Sequence, residues 1–261
     1  MSMRILLLSD YHGATDMLRM LPRIIKDNSP DLIVFCGDIV KGYARGNEWL
    51  AARADMREPD RNLPEIRDEA KEDLQLYQDF YSILGAMGIL TFVIPGNMDA
   101  PKSRYSNTLE AAQNKYGNIF SIHNCHEKFD DVTFVGFGGE ITQEESEDFF
   151  VAMYNRDEVI QGLYKSPRTI YVTHTPPLCS KVDLDKTVHK GNIVVNAVLE
   201  RMQPMANFCG HAHNGRGSEK IDNTTIINPG AFKAGNFAIV ELDVKTKNIN
   251  VKFKNCLLMK K

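Results

Sequence analysis

Five apolar runs in this chain each end on a polar residue able to bind a cation, and that repetition limits what the chain can fold into. Met3–Ser9 leads to Asp10 and His12 in S-D-Y-H, and Leu32–Cys36 leads to Asp38 in C-G-D-I. Thr91–Ile94 leads to Asn97 in P-G-N-M-D, and Thr169–Thr173 to His174 in V-T-H-T-P-P. Ala206–Cys209 leads to His211 and His213 in C-G-H-A-H. Short aliphatic runs of this kind read as strands buried on both faces. Ligands at the ends of core strands make poor packing. They make a good cation cage, because strand ends converge on one edge of a sheet.

Residues i and i+2 on an extended backbone point to the same side, so Asp10 with His12 can grip one cation together, and so can His211 with His213 if the backbone there stays extended. Gly37, Gly96 and Gly210 each precede a ligand, where a missing Cβ permits a sharp exit from the strand. Imidazole, carboxylate and amide oxygen suit borderline divalent metals: Mn²⁺ foremost, with Fe²⁺, Zn²⁺, Ni²⁺ or Co²⁺ as alternatives. Seven ligands are too many for one small cation and fit two ions sharing a bridge. Two such ions roughly 3.5–4 Å apart lower the pKa of a shared water and hold it as hydroxide for in-line attack on phosphorus. With only two carboxylates among the ligands, a residual positive charge remains for an anionic phosphate and its transition state.

The rest of the chain is that of a soluble globular protein. Hydrophobic residues make up 43%, enough for a sizeable core, and no apolar run approaches the roughly 20 residues that span a bilayer. No membrane association is expected. The formal charge of −3 and the lack of a basic-aromatic stretch disfavour nucleic acid as a partner. Five cysteines, odd in number and without C-x-x-C spacing, argue against a disulfide framework. With the first strand starting a few residues from Met1, they point to the reducing cytoplasm. Oligomeric state is left open, a homodimer among the options.

Organisation follows the same strands. The opening reads β-α-β, with Met17, Leu18, Leu21, Ile24 and Ile25 at helical spacing over 15–27 and Thr15 as the expected N-cap. A helical insertion follows at about 41–88, charge-dense from Arg53 to Asp73, with a long amphipathic helix over Glu65–Leu84. It is either a solvated hairpin or, because it starts directly after Asp38, a lid. Asp130-Asp131 marks a hairpin, 143–163 reads as an interrupted helix, and Ile193–Met202 as a helix capped by Asn192. Asp222-Asn223 marks a second turn, and Phe237–Leu242 with Asn248–Phe253 an antiparallel pair. With no linker or repeat, residues 1–261 are expected to form a single domain.

The order D-x-H, G-D, G-N, H, G-H-x-H, from Asp10 through Asn228-Pro229-Gly230, resembles the calcineurin-like metallophosphoesterase superfamily. The long insertion and the Gly138-Gly139-Glu140 segment resemble a prokaryotic subgroup of it. The resemblance implies an α/β fold, a four-layer αββα sandwich of two mixed β-sheets flanked by helices. It implies Asp10, His12, Asp38 and His213 on a first metal, and Asp38, Asn97, His174 and His211 on a second, with Asp38 bridging. Asp38 and His211 are then the catalytic residues.

One position departs from that pattern. The superfamily's usual G-N-H motif carries a histidine associated with protonating the leaving oxygen, and here the residue is Met98, whose thioether cannot donate a proton. General acid catalysis is typically worth about 10²–10⁴-fold, so diesters and activated esters are expected before ordinary monoesters. Asp99 reads as a cap for the turn at Ala100-Pro101. Lys41 and Arg45, close after Asp38, read by default as solvated loop charges, with a phosphate oxygen as the other partner they could bind. His189, just ahead of Gly191-Asn192 and a helix N-terminus, reads either as an exposed turn histidine or as a contact for an anion. The substrate-contact candidates are Asn97, His189 and Lys41. His123 and His126 belong to no motif, and Cys36 and Cys209 read as core residues. The expected activity is a dinuclear phosphoesterase acting on a small substrate. The alternative is a metal-binding scaffold or regulatory protein with little turnover.

Overall fold

The computed structural model describes residues 2–99, 102–142, 152–179 and 181–259. The chain opens with β1 (Ser2–Leu8), α1 (Thr15–Asn28), β2 (Leu32–Phe35), α2 (Tyr43–Ala54) and α3 (Pro64–Met87). Then come β3 (Thr91–Val93), α4 (Lys102–Tyr116), β4 (Ile119–Ser121), β5 (His126–Phe129) and β6 (Val132–Phe137). Next are β7 (Glu140–Thr142), β8 (Met153–Asn155), α5 (Arg156–Gln161), β9 (Thr169–Thr173), β10 (Leu184–Asp185) and β11 (Val188–His189). The chain closes with α6 (Ile193–Met202), β12 (Ala206–Phe208), β13 (Gly217–Ile221), β14 (Thr224–Asn228), β15 (Asn236–Asp243) and β16 (Asn248–Asn255).

Two mixed six-stranded sheets result, ordered β16-β15-β1-β2-β3-β4 and β13-β14-β12-β9-β6-β5. In each the centre is parallel: β1-β2-β3-β4 in the first, β6-β9-β12-β14 in the second. Alternation along β1 shows why the sheets stack. Met3, Ile5 and Leu7 join one buried cluster with Phe134, Ile170, Val172 and Phe208 of the second sheet. Leu6 and Leu8 point the other way, into a cluster with Leu21 and Ile24 of α1, Tyr77, Phe80 and Leu84 of α3, and Leu109 of α4. A strand apolar on both faces needs cover on both. The outer face of the second sheet is covered by α6, with Val195, Val198 and Leu199 against Val135, Tyr171 and Ile226. The layers are therefore αββα.

Most elements fall within a residue or two of the sequence reading, the usual uncertainty of element ends. The Asn192 side chain caps α6 by accepting from Val194 N–H. Two expectations need correction. At α1 the N-cap is Ala14, with no side-chain hydrogen bond, so Thr15 begins the helix and does not cap it. Residues 153–163, read as helix, begin instead with β8, which pairs with β7 and helps bury Ile141 and Tyr154 before the short α5. Ladder pairing there overrides local helical spacing; residues 143–151, from the same expectation, lie outside the described residues.

Candidate metal centre

The loops after β1 and β2 stay hydrogen-bonded beyond the strand ends. Asp10 N–H donates to Gly37 O (2.9 Å), His12 N–H to Asp38 O (3.0 Å) and Gly13 N–H to Ile39 O (3.0 Å). The backbone is not extended here: Asp10 and His12 still fall in one group of ligand candidates, whereas His211 and His213 fall in different ones. Asp10 (φ 56°), His12 (φ 46°), Asp38 (φ 65°) and His211 (φ 64°) all occupy the left-handed region. Non-glycine residues in sparsely populated backbone regions cost of order 1–3 kcal/mol each and persist where surrounding structure imposes them. One such constraint is the contact between Gly37 and Gly96. A Cβ on Gly37 would sit 2.5 Å from Gly96 N, and one on Gly96 would run into the Asp38 side chain.

Asp99 supplies a second constraint. The turn at 100–101, which Asp99 is expected to cap, lies outside the described residues; the Asp99 carboxylate is engaged elsewhere. Wholly buried, it accepts from the backbone N–H of Asp38 (2.8 Å), Ile39 (2.9 Å), Val40 (3.2 Å) and Gly96 (2.8 Å), and from the Tyr77 hydroxyl (3.1 Å). One carboxylate thus ties the Asp38 loop to the Asn97 loop. Four inward N–H groups needed an acceptor, and Asp99 was within reach.

The seven ligand candidates come together in two groups. Asp10, His12, Asp38 and His213 present donor atoms all within 4.8 Å of one another. Nε2 of His12 is 3.0 Å from Nε2 of His213, and Nε2 of His213 is 3.3 Å from Asp10 Oδ1. In the second group Asn97 Oδ1 lies 2.9 Å from His174 Nε2 and 3.1 Å from His211 Nδ1. Asp38 Oδ2 joins the groups, 3.4 Å from both His12 Nε2 and His174 Nε2. The opposite ring nitrogens are anchored: His12 Nδ1 to Val40 O (3.2 Å) and His174 Nδ1 to Cys36 O (2.7 Å). Such anchoring fixes the tautomer and aims the Nε2 lone pair inward, as in metal sites. Donor types, convergence and anchoring all fit borderline divalent cations.

Electrostatics agree. Burial alone would raise the Asp38 carboxyl, but the charges of His174 and His12 and hydrogen bonds from His174 and Met98 N–H hold it far below its usual range. Asp10 is likewise lowered, its burial outweighed chiefly by the hydrogen bond from His213 and the charge of His174. Burial, reinforced by the charge of His174, brings His211 down to about 4, leaving an unprotonated imidazole at neutral pH. The site holds two ionised carboxylates facing ring nitrogens, with room for cations to replace protons.

A cleft of about 460 Å³ opens on this centre, reaching Asn97, Met98 and His211. One wall is α2, through Tyr43, Gly46, Trp49 and Leu50; the other is the β11–α6 segment, through His189, Lys190 and Gly191. The insertion is therefore not merely a solvated hairpin. Met98 faces α2, its Cε 3.1 Å from where a Cβ on Gly46 would be. Arg45 binds no substrate space: it is buried, pairs with Glu69 (3.1 Å) and Asp73, and donates to Met98 O (2.7 Å). Lys41, expected at a phosphate oxygen, is paired with Glu72 because α3 brings that carboxylate alongside. His189 lines the cleft, with Nδ1 2.9 Å from Asp183. Asp183, which drew no attention in the sequence, is fully buried behind it. His126 stacks on Tyr164, His123 accepts from Gly138 N–H, and Cys36 and Cys209 are buried in the core.

Over residues 1–254 the sequence matches the family described as "Metallophosphoesterase, calcineurin superfamily", and the chain belongs to that family. It is 26% identical over 235 residues to the uncharacterized protein MJ1162 of Methanocaldococcus jannaschii, covering 83% of this chain and 86% of that one. One crystal structure superposes with a TM-score of 0.85 at 29% identity, over 97% of this chain and 99% of its own. A dimetal phosphatase from Danio rerio shares the fold at a TM-score of 0.60 and 15% identity, over 97% of this chain and 96% of that one. Membership makes the chain a metal-dependent phosphoric ester hydrolase by class. No helix among the described residues is long and apolar enough to cross a membrane.

Proposed function

We propose that this protein is a dinuclear phosphodiesterase acting on a small phosphoester in the cytoplasm. The observation that carries the reading is Asp38 Oδ2, 3.4 Å from the inward nitrogen of one histidine in each ligand group. A carboxylate so placed could serve two cations at once. Mn²⁺ is the ion we favour, because the set mixes imidazole with hard oxygen donors. Bound there, two divalent ions would polarise a phosphoryl oxygen and lower the pKa of water. The chain's own residues do the rest. Asn97 and His211 face the cleft from the second group, so a phosphoryl group seated on them meets α2 on one side and the His189–Gly191 segment on the other.

A diester is favoured over a monoester by the cleft's mixed lining, which offers Tyr43, Trp49 and Leu50 to a second substituent. Reconstitution with Mn²⁺, Ni²⁺, Zn²⁺ or Mg²⁺ and assay against a phosphoester panel, with EDTA as control, tests the reading. Metal-dependent hydrolysis of bis-p-nitrophenyl phosphate is expected. Tight metal binding with no turnover of any ester would instead identify a metal-bound scaffold.

A further inference from the structure

Met98 removes the expected proton donor, yet the cleft contains a histidine that neither ligand group uses. His189 lies at the base of the β10–β11 hairpin, opposite Leu184 in register. Its Nδ1 is 2.9 Å from Oδ2 of Asp183, a side chain with no solvent exposure, while the ring itself is half exposed. Because a carboxylate can only accept here, Nδ1 carries the hydrogen, and the opposite ring edge with Nε2 is left to the cleft that His189 lines. The backbone around it is held. Lys190 N–H donates to Asp183 O (2.8 Å), and a Cβ on Gly191 would meet Leu178 Cα at 2.5 Å. Asn214, next to the ligand His213, donates to Asp185 of the same hairpin. A buried carboxylate behind an imidazole is the arrangement that holds a ring in one orientation and one tautomer.

We propose that His189 is the general acid of this enzyme and that Asp183 is its positioning residue. The proposal rests on the phosphoesterase reading above. A water-derived oxygen attacks phosphorus and the bond from phosphorus to the leaving oxygen breaks. The electron pair stays on that oxygen, which takes the proton from Nε2 of the His189 imidazolium. Neutral His189 recovers a proton from solvent before the next turnover. This role extends the substrate range from activated esters to diesters of ordinary alcohols. Glu140 is the competing candidate, since it also lines the cleft and can carry a proton.

The test uses Mn²⁺-loaded enzyme and diesters whose leaving groups run from nitrophenol to a simple alcohol. Log kcat/KM plotted against leaving-group pKa should be shallow for the wild type and steep for H189Q. The poorest leaving group should lose about 10²–10⁴-fold and the best far less. D183N should steepen the plot partway. In metal-free D183N the imidazole ¹⁵N spectrum should lose the Nδ1-protonated preference of His189, a change that needs no turnover. Met98→His in the H189Q background should recover part of the loss. An unchanged slope in H189Q, or steepening in E140Q and not in H189Q, overturns the proton donor alone. Wild-type enzyme that binds metal and cleaves none of the series overturns the phosphoesterase reading as well.

Discussion

Nε2 of His12 stands 3.0 Å from Nε2 of His213, with the Asp10 and Asp38 carboxylates beside them. In metal-free protein two imidazole nitrogens at this distance can share one hydrogen, and a divalent cation could replace it as a common partner for all four side chains. Together with Asn97, His174 and His211, this gives a first expected outcome. Protein reconstituted with Mn²⁺ should bind two ions per chain by elemental analysis, and Asp38→Asn should weaken both. His213→Ala should remove one and leave the other. Binding should also raise the melting temperature; ligand at 100 times its Kd stabilises by about 2.7 kcal/mol. A wild type with no tight divalent metal would refute the site.

Asp99 gives the second. Asp99→Asn exchanges one acceptor oxygen for an N–H₂ facing N–H donors, so at least one buried backbone N–H loses its partner. The cost is about 1–3 kcal/mol for each group left unsatisfied. Urea unfolding of metal-free protein should show it, with Tyr77→Phe costing about 1 kcal/mol for the hydroxyl that is shared between Asp99 Oδ1 and Asp99 O. Metal affinity should fall in Asp99→Asn as well, although Asp99 touches no ion, because the Asp38 and Asn97 loops lose their tie.

The contrast between Asp99 and the ligands shows what a sequence can tell. All seven candidate ligands follow buried strands, β1, β2 and β3 of one sheet and β9 and β12 of the other, so apolar patterning was enough to single them out, while the stacking of the two sheets that brings them together was not written locally. Asp99 looked like a cap because its partners at Asp38, Ile39 and Val40 are about sixty residues away. Arg45 invited a phosphate because it follows Asp38; only the packing of α3 shows Glu69 and Asp73 enclosing it. Asp183 carried no signal, since its meaning depends on a hairpin that turns His189 back onto it. Ligand positions follow from local pattern. Their supports follow from tertiary contacts that no local pattern records.

His174 gives the third outcome. Burial would lower its pKa, but the charge and hydrogen bond of Asp38 win and raise it to about 9. Folded metal-free protein therefore holds this proton more tightly than unfolded chain does. Its contribution to stability is fully present below the ordinary histidine value of about 6.5 and is lost as pH rises through about 9. Metal must displace the same proton. Mn²⁺ affinity should climb as pH rises towards about 9 and level off above it, as titrations at stepped pH would show. A pH-independent affinity between neutrality and pH 9 would contradict the assignment.

Arg45 gives the fourth. It links α2 to α3 through Glu69 and Asp73 and reaches the main chain beside Asn97 through Met98 O. Glu69 also accepts from the backbone N–H of Ala44 (2.7 Å) and Arg45 (3.1 Å), capping α2 from outside. Arg45→Met would leave two buried carboxylates with less compensation, and breaking a buried pair typically costs about 3–5 kcal/mol. The guanidinium of Arg104, 2.8 Å from Asp73, offsets part of this. Thermal unfolding of the variant should show the loss. Removing both ends of the pair, as in Arg45→Met with Glu69→Gln, should cost less than the sum of the single changes.

The last outcome concerns the wall that α2 builds. Tyr43 is 49% exposed and its ring lies 6.1 Å from that of His12, nearly parallel to it. Leu50, 60% exposed, continues the same wall. An aromatic and an aliphatic side chain left in water beside a charged centre suit the second substituent of a diester, which the chemistry at phosphorus does not touch. Contacts of that kind hold ground state and transition state alike, so removing them should raise KM and leave kcat largely in place. Tyr43→Ala and Leu50→Ala should each raise KM for bis-p-nitrophenyl phosphate several-fold, and should affect methyl p-nitrophenyl phosphate much less. If both substrates suffered equally, or if kcat fell instead of KM rising, α2 would be shaping the metal centre and not the substrate. Metal affinity measured on the same variants separates the two, since a wall that touches only substrate leaves it unchanged.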